Sequence, residues 1–187
     1  MENTMNWPQL RKHLEDQSPP QITEIIKGLY DLSPQNKAFL RKQFAETLED
    51  PAFLEKCRTQ IINAIYPPRR KFPGDPKFAQ ARKAINEYKK ATGDIKGVID
   101  LSLVYVECGT RYTLAFGDID EPFYERLETA LENAAELLLA HPMRTPLYNI
   151  FRPRFQKLVR DAGWMGWGYG DFINDTFHDL ESKIGEQ

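Results

Sequence analysis

Apolar positions fall at helical spacing over almost the whole chain. Ile22, Ile25, Ile26 and Leu29 stand at i, i+3, i+4 and i+7, and Leu54, Cys57, Ile61 and Ile65 build a similar stripe. Phe78, Ala81, Ile85 and Tyr88 form another. Phe123, Leu127, Ala130, Leu131, Ala134 and Leu138 follow, then Leu147, Ile150, Phe151, Phe155, Leu158 and Val159. No stretch alternates with a period of two, so no strand is expected. The pattern predicts nine helices, over about 7–16, 19–31, 34–49, 51–66, 76–91, 95–115, 122–140, 146–161 and 171–183. The third carries the stripe Leu40, Phe44, Leu48. The fold class is all-α, with the helices in antiparallel hairpins. The packing is helical-repeat-like or an irregular bundle, with no sheet.

Proline marks the helix starts, because its missing N–H would be unpaired in the first turn anyway. A small polar residue precedes it at Ser18-Pro19, Ser33-Pro34, Asp50-Pro51, Asp75-Pro76 and Thr145-Pro146, as an N-cap does. Ser18 also has Gln21 three residues on, a capping box. Asn6-Trp7-Pro8 and Asp120-Glu121-Pro122 are variants. Pro153 falls inside the eighth helix and is expected to kink it.

The sixth helix is the expected centre. Val98, Leu101, Val104, Tyr105, Cys108 and Tyr112 form one apolar face. Leu103, Val106 and Leu114 lie on the other side with Asp100, Glu107 and Arg111, so both sides should be covered. Glu107 and Arg111 are spaced to pair.

Short connections make consecutive helices antiparallel, so alternate loops share an end. Loops 66–75, 117–121 and 163–170 are then predicted to meet. They bring together the basic Arg69, Arg70 and Lys71, the acidic Asp118, Asp120 and Glu121, and the aromatic Trp164, Trp167 and Tyr169.

The 187 residues fit a single helical domain, and the Pro/Arg-rich stretch 67–75 is where a subdivision could fall. The net charge of −2 favours neither nucleic acid nor acidic lipid. The charge is unevenly spread. Pro68 to Lys90 carries eight basic side chains against two acidic ones, and Gly117 to Glu136 carries seven acidic against one basic. Such blocks either attract one another or form two solvated faces. Cys57 and Cys108 read as buried thiols of a reducing compartment. No apolar run spans a bilayer and no signal core is present, so a cytoplasmic, non-membrane protein is expected.

Each candidate site has a plainer alternative. Asp118, Asp120 and Glu121 could hold a cation or a basic partner. Equally, Gly117 can stop one helix in a left-handed conformation while Asp120 caps the next. The Trp164–Tyr169 loop could be a stacking or hot-spot surface. Alternatively its rings fold back, each indole N–H finding an acceptor such as Asp118 or Asp120. Gly166-x-Gly168-x-Gly170 lacks the strand and lysine of a phosphate cradle. Asp171, Asp175, His178 and Asp179 fall opposite the apolar face of the last helix, which argues against an internal metal site. No catalytic, metal or cofactor motif is present, so no cofactor is assigned.

Phe116-Gly117-Asp118-Ile119-Asp120-Glu121-Pro122-Phe123-Tyr124, with Gly166-Trp167-Gly168-Tyr169, resembles a family of uncharacterised bacterial proteins classed as a domain of unknown function. The resemblance implies a small bacterial helical protein and supplies no catalytic residues. The leading expectation is a non-enzymatic module that binds a protein through the shared loop end. One alternative is a nucleic-acid-associated protein using Arg69–Lys71 and the Trp/Tyr loop. The other is a metal-dependent enzyme using Asp118, Asp120, Glu121 and Glu107.

Overall fold

The computed structural model describes residues 6–43, 51–68 and 74–185. Among them are nine helices and no strand: α1 (Trp7–Glu15), α2 (Pro19–Leu32), α3 (Pro34–Gln43), α4 (Pro51–Ile65), α5 (Phe78–Thr92), α6 (Ile95–Phe116), α7 (Glu121–Leu139), α8 (Arg144–Ala162) and α9 (Tyr169–Gly185). The all-α class read from the sequence is the class observed. No helix among the described residues is long and apolar enough to cross a membrane.

The chain forms two compact units, 1–44 and 45–187, so the stretch 67–75 lies inside the second. In the first unit, Asn6 and Gln9 exchange both capping-box hydrogen bonds at 3.1 Å. The Ser18 amide donates to Gln21 Oε1 at 2.8 Å. The Asn36 amide donates to Ser33 Oγ, and Asn36 Nδ2 donates to the Leu29 carbonyl at 2.8 Å, which fixes the α2–α3 elbow. Phe44 and Leu48, expected on the third helix, lie outside the described residues, as does the cap expected at Asp50.

The second unit is built around α6. Of its 22 residues, 14 are buried, on both sides of the helix. It packs against α4, α5, α7 and α8. Two close approaches set its position. Asp94 caps it by accepting from the Gly97 amide at 3.0 Å and also receives the Tyr88 hydroxyl at 2.6 Å. A Cβ at Gly109 would overlap the Leu127 side chain of α7, so glycine lets these two helices come together.

Two expected starts are displaced. The Lys77 amide donates to the Ala64 carbonyl at 2.8 Å, so Asp75-Pro76 stays in the connection and α5 begins at Phe78. α8 begins at Arg144, leaving Pro146 inside its first turn, where a missing N–H costs nothing. The helix continues through Pro153 to Ala162.

A charged clamp joins α4, α6 and α8. Arg154 grips both Glu107 oxygens, at 2.7 and 2.8 Å, and reaches Asp100 at 2.5 Å. Arg58 reaches the other Asp100 oxygen at 2.6 Å. The Glu107–Arg111 pair expected from sequence is therefore not formed: Arg154 takes the carboxylate, and Arg111 lies over the Tyr66 ring at 5.5 Å. Bidentate geometry and partial burial favour the cross-helix pair over an i, i+4 pair. Burial alone would lower the Arg154 pKa, yet Glu107 and Asp100 carry the net shift upward. Replacing Arg154 with methionine leaves the partly buried Glu107 without its cation and Asp100 with Arg58 alone. The expected cost is about 3 kcal/mol, read as a lower urea midpoint with an unchanged slope.

Candidate functional site

The site grows from the ends of α4, α6 and α8. Tyr66, at the end of α4, packs edge-on against Phe116 and Tyr112 of α6, with ring centres 6.1 and 6.2 Å apart. The Tyr112 hydroxyl donates to the Gly74 carbonyl at 3.3 Å. Asp75 and Pro76 line a surface hollow together with Ile119 and Asp120. On the far side, the Gly166 amide donates to Asp118 Oδ1 at 3.3 Å. The described parts of the three loops thus lie at one end of the unit, as alternation of helix direction predicts. Arg69, Arg70 and Lys71 lie outside the described residues.

The acidic loop first does structural work. Asp120 caps α7, accepting from the Phe123 amide at 2.9 Å. Gly117 ends α6 at φ 90 and ψ −177. That is a positive-φ extended conformation, not the left-handed helical one expected, and it turns the chain straight into the α7 cap. Asp118 receives the Tyr124 hydroxyl as well as the Gly166 amide. Burial first, and then the Asp118 hydrogen bond, push the Tyr124 phenol up to about 12. Asp118, Asp120 and Glu121 all remain solvent-exposed.

The aromatic loop divides its side chains. Met165 and Tyr169 are buried, and the Tyr169 hydroxyl is 2.8 Å from Thr110 Oγ1 on α6. Tyr169 therefore belongs to the core and has no surface to offer a partner. Trp164 and Trp167 stay 59% and 57% exposed. Among the described residues neither indole N–H bonds to Asp118 or Asp120, the acceptors the plainer alternative named. The loop is nonetheless internally bonded: Met165 N to Ala162 O at 2.9 Å, Tyr169 N to Gly166 O at 3.1 Å, and Phe172 N to Gly168 O at 2.9 Å. Trp167 has φ 58, the one positive value among described residues other than glycine. A bulky side chain costs about 1–2 kcal/mol there, so the surrounding bonds hold the indole outward against a local preference.

Glycine permits this docking. A Cβ at Gly166 would overlap the Asp118 carboxylate, and one at Gly170 would stand 2.7 Å from the Ala162 carbonyl oxygen.

Two other features bear on chemistry. Part of each oppositely charged block lines one groove. Arg82 and Lys89 of α5 and Glu125 and Glu136 of α7 flank a groove of about 670 Å³, and Val98 and Ser102 of α6 lie between them. No ion pair joins its walls among the described residues. Sequence reasoning missed Arg154 and Arg58, whose clamp borders a cavity of about 480 Å³ with Cys108 and Leu158. The signal available was the half-polar second face of α6, which needed cationic partners from elsewhere. Burial pushes the Cys108 thiol up to about 12, so it is inert at neutral pH.

No group of three metal-ligating side chains occurs among the described residues. Glu107 is held by Arg154 and does not join Asp118 and Asp120. The stripe Asp171, Asp175, His178 and Asp179 is exposed.

No protein-family model matches the chain, and comparisons with curated proteins and with solved structures find no match either.

Four tyrosines are held protonated. Burial raises Tyr105 to about 12, as for Tyr124, and lifts Tyr148 and Tyr169 further. Above pH 10 the unfolded chain loses these protons and the folded chain keeps them. Stability is therefore intact below pH 10 and falls between about 10 and 12. Tyrosinate absorbance should show these four titrating only with loss of helix, and free titration of all eight near pH 10 would contradict this. Gly170→Ala meets fixed backbone and should cost about 1–3 kcal/mol in thermal denaturation. Gly166→Ala should cost less, because a side chain can yield.

Proposed function

We propose that this chain is a non-enzymatic protein-interaction module whose contact surface is the Trp164/Trp167 pair beside Asp118, Asp120 and Glu121. The observation that carries this reading is Trp167: a large exposed ring, in a conformation it disfavours, on a loop bonded at both ends. A loop under selection for stability alone would set glycine there. Tryptophan is the side chain most enriched at interface hot spots, and a pre-ordered loop spends little entropy on binding.

The neighbouring carboxylates specify the partner's chemistry. A protein segment with an apolar anchor flanked by lysine or arginine would pair with both the indoles and the acidic loop. The same carboxylates repel nucleic-acid phosphate, which weakens the nucleic-acid alternative built on Arg69–Lys71. The two buried free thiols fit a reducing compartment such as the cytoplasm.

Trp167→Gly separates fold from function. It removes the anchor and relieves the backbone, so stability should stay within about 1 kcal/mol of the parent. A discrete partner retained by the parent chain should be lost, and its binding to the parent should weaken with salt. Retention of that partner by the variant would refute the reading. So would salt-sensitive oligonucleotide binding abolished by Arg69/Arg70→Ala, or stoichiometric metal after purification without chelators.

A further inference from the structure

The cavity beside the charged clamp has a chemistry of its own. It lies along the second face of α6, between α4 and α8, and holds about 480 Å³, a volume within the range of small-ligand pockets. Ile62 of α4, Val104 and Cys108 of α6 and Leu158 of α8 supply an apolar floor, and charged side chains surround it. Asp100 stands at one end and Arg111 at the other, about three turns or about 16 Å apart along α6. The space is therefore long and narrow.

Its lining charges are paired at every point but one. Glu107 gives both oxygens to Arg154. Asp100 is shared by Arg154 and Arg58. Arg58 also meets Glu55, which does not line the cavity, at 3.1 Å. Lys157 holds Asp161. Only Arg111 is left. It makes no ion pair among the described residues, and its contact with the Tyr66 ring at 5.5 Å steadies the guanidinium without supplying an acceptor. Cys108 adds no negative charge, because burial keeps it a thiol. The result is an apolar interior with one unpaired cation at its edge.

We propose that this cavity binds a small monocarboxylate with an unbranched apolar tail, its carboxylate on Arg111 and its tail along the floor between α4, α6 and α8. Each part of that ligand answers a feature of the site. A carboxylate matches the planar guanidinium fork in charge and shape. One unpaired cation takes one negative charge. A second would face Glu107 and Asp161 with no cation to spare. An apolar tail removes water from Ile62, Val104 and Leu158, and a narrow space favours an unbranched one. The clamp ties α8 and α4 to α6 before any ligand arrives, so little ordering is needed on binding.

The test titrates hexanoate into the full chain and follows the methyl resonances of Ile62, Val104 and Leu158. Saturable shifts at these three are expected. Octanoate, longer by two methylenes, should bind about tenfold tighter. Hexanamide has the same tail without the charge and should bind about tenfold weaker. Arg111 is exposed, so Arg111→Gln leaves the fold intact. It should bring hexanoate down to the affinity of hexanamide. Lys83→Gln removes an exposed cation of α5 away from the cavity and should change nothing. Octanoate that leaves the three methyls unmoved would overturn the proposal. So would hexanamide binding as tightly as hexanoate, undiminished binding to Arg111→Gln, or an equal loss in Lys83→Gln. Neither Trp164 nor Trp167 enters this readout, so the protein-contact reading and this one can fail separately.

Discussion

Helix α6 has almost no face left for water, and the second unit is arranged by that constraint. A helix apolar on two sides must be covered on two sides. Its neighbours before and after in sequence cover one part, and α4 and α8 reach the rest. The polar residues of its second face, Asp100 and Glu107, need cations at that depth, and Arg58 and Arg154 bring them from separate helices. Such a clamp contributes little net stability but is costly to leave half-made. It therefore fixes which helices lie together more than how strongly they hold.

The loop end inherits its composition from this arrangement. With α4, α6 and α8 pointing the same way, their C-terminal connections converge. Tyr112 binds the Gly74 carbonyl and Asp118 binds the Gly166 amide. Asp118 also receives Tyr124, so the carboxylate is a hinge-pin between the acidic turn and the aromatic loop. Once Tyr169 and Met165 are anchored below, two tryptophans remain outside. The functional reading follows from that division of side chains.

Much of this was legible in the chain. Helix existence followed from 3.6-residue spacing, and the Asp120 cap from an Asp ahead of a helix-starting proline. Co-location of the loops needed only alternation of direction. The rest required three dimensions. Thr145-Pro146 and Asp75-Pro76 look identical to true starts, and only the Lys77–Ala64 hydrogen bond shows why one is not. The partner of Glu107 was misread because a local i, i+4 cation was visible and a better one 47 residues away was not. The split between exposed Trp164 and Trp167 and buried Met165 and Tyr169 depends on turn geometry, which a glycine-rich stretch leaves open.

A pre-ordered contact surface requires the aromatic loop to be held in place before any partner arrives. Backbone heteronuclear NOE values for residues 163–168 in the free, full-length protein test that directly, because they report motion faster than tumbling. Values matching those of α6 are expected. Values well below it, with the helices themselves rigid, would show a loop that orders only on binding and would contradict the central claim.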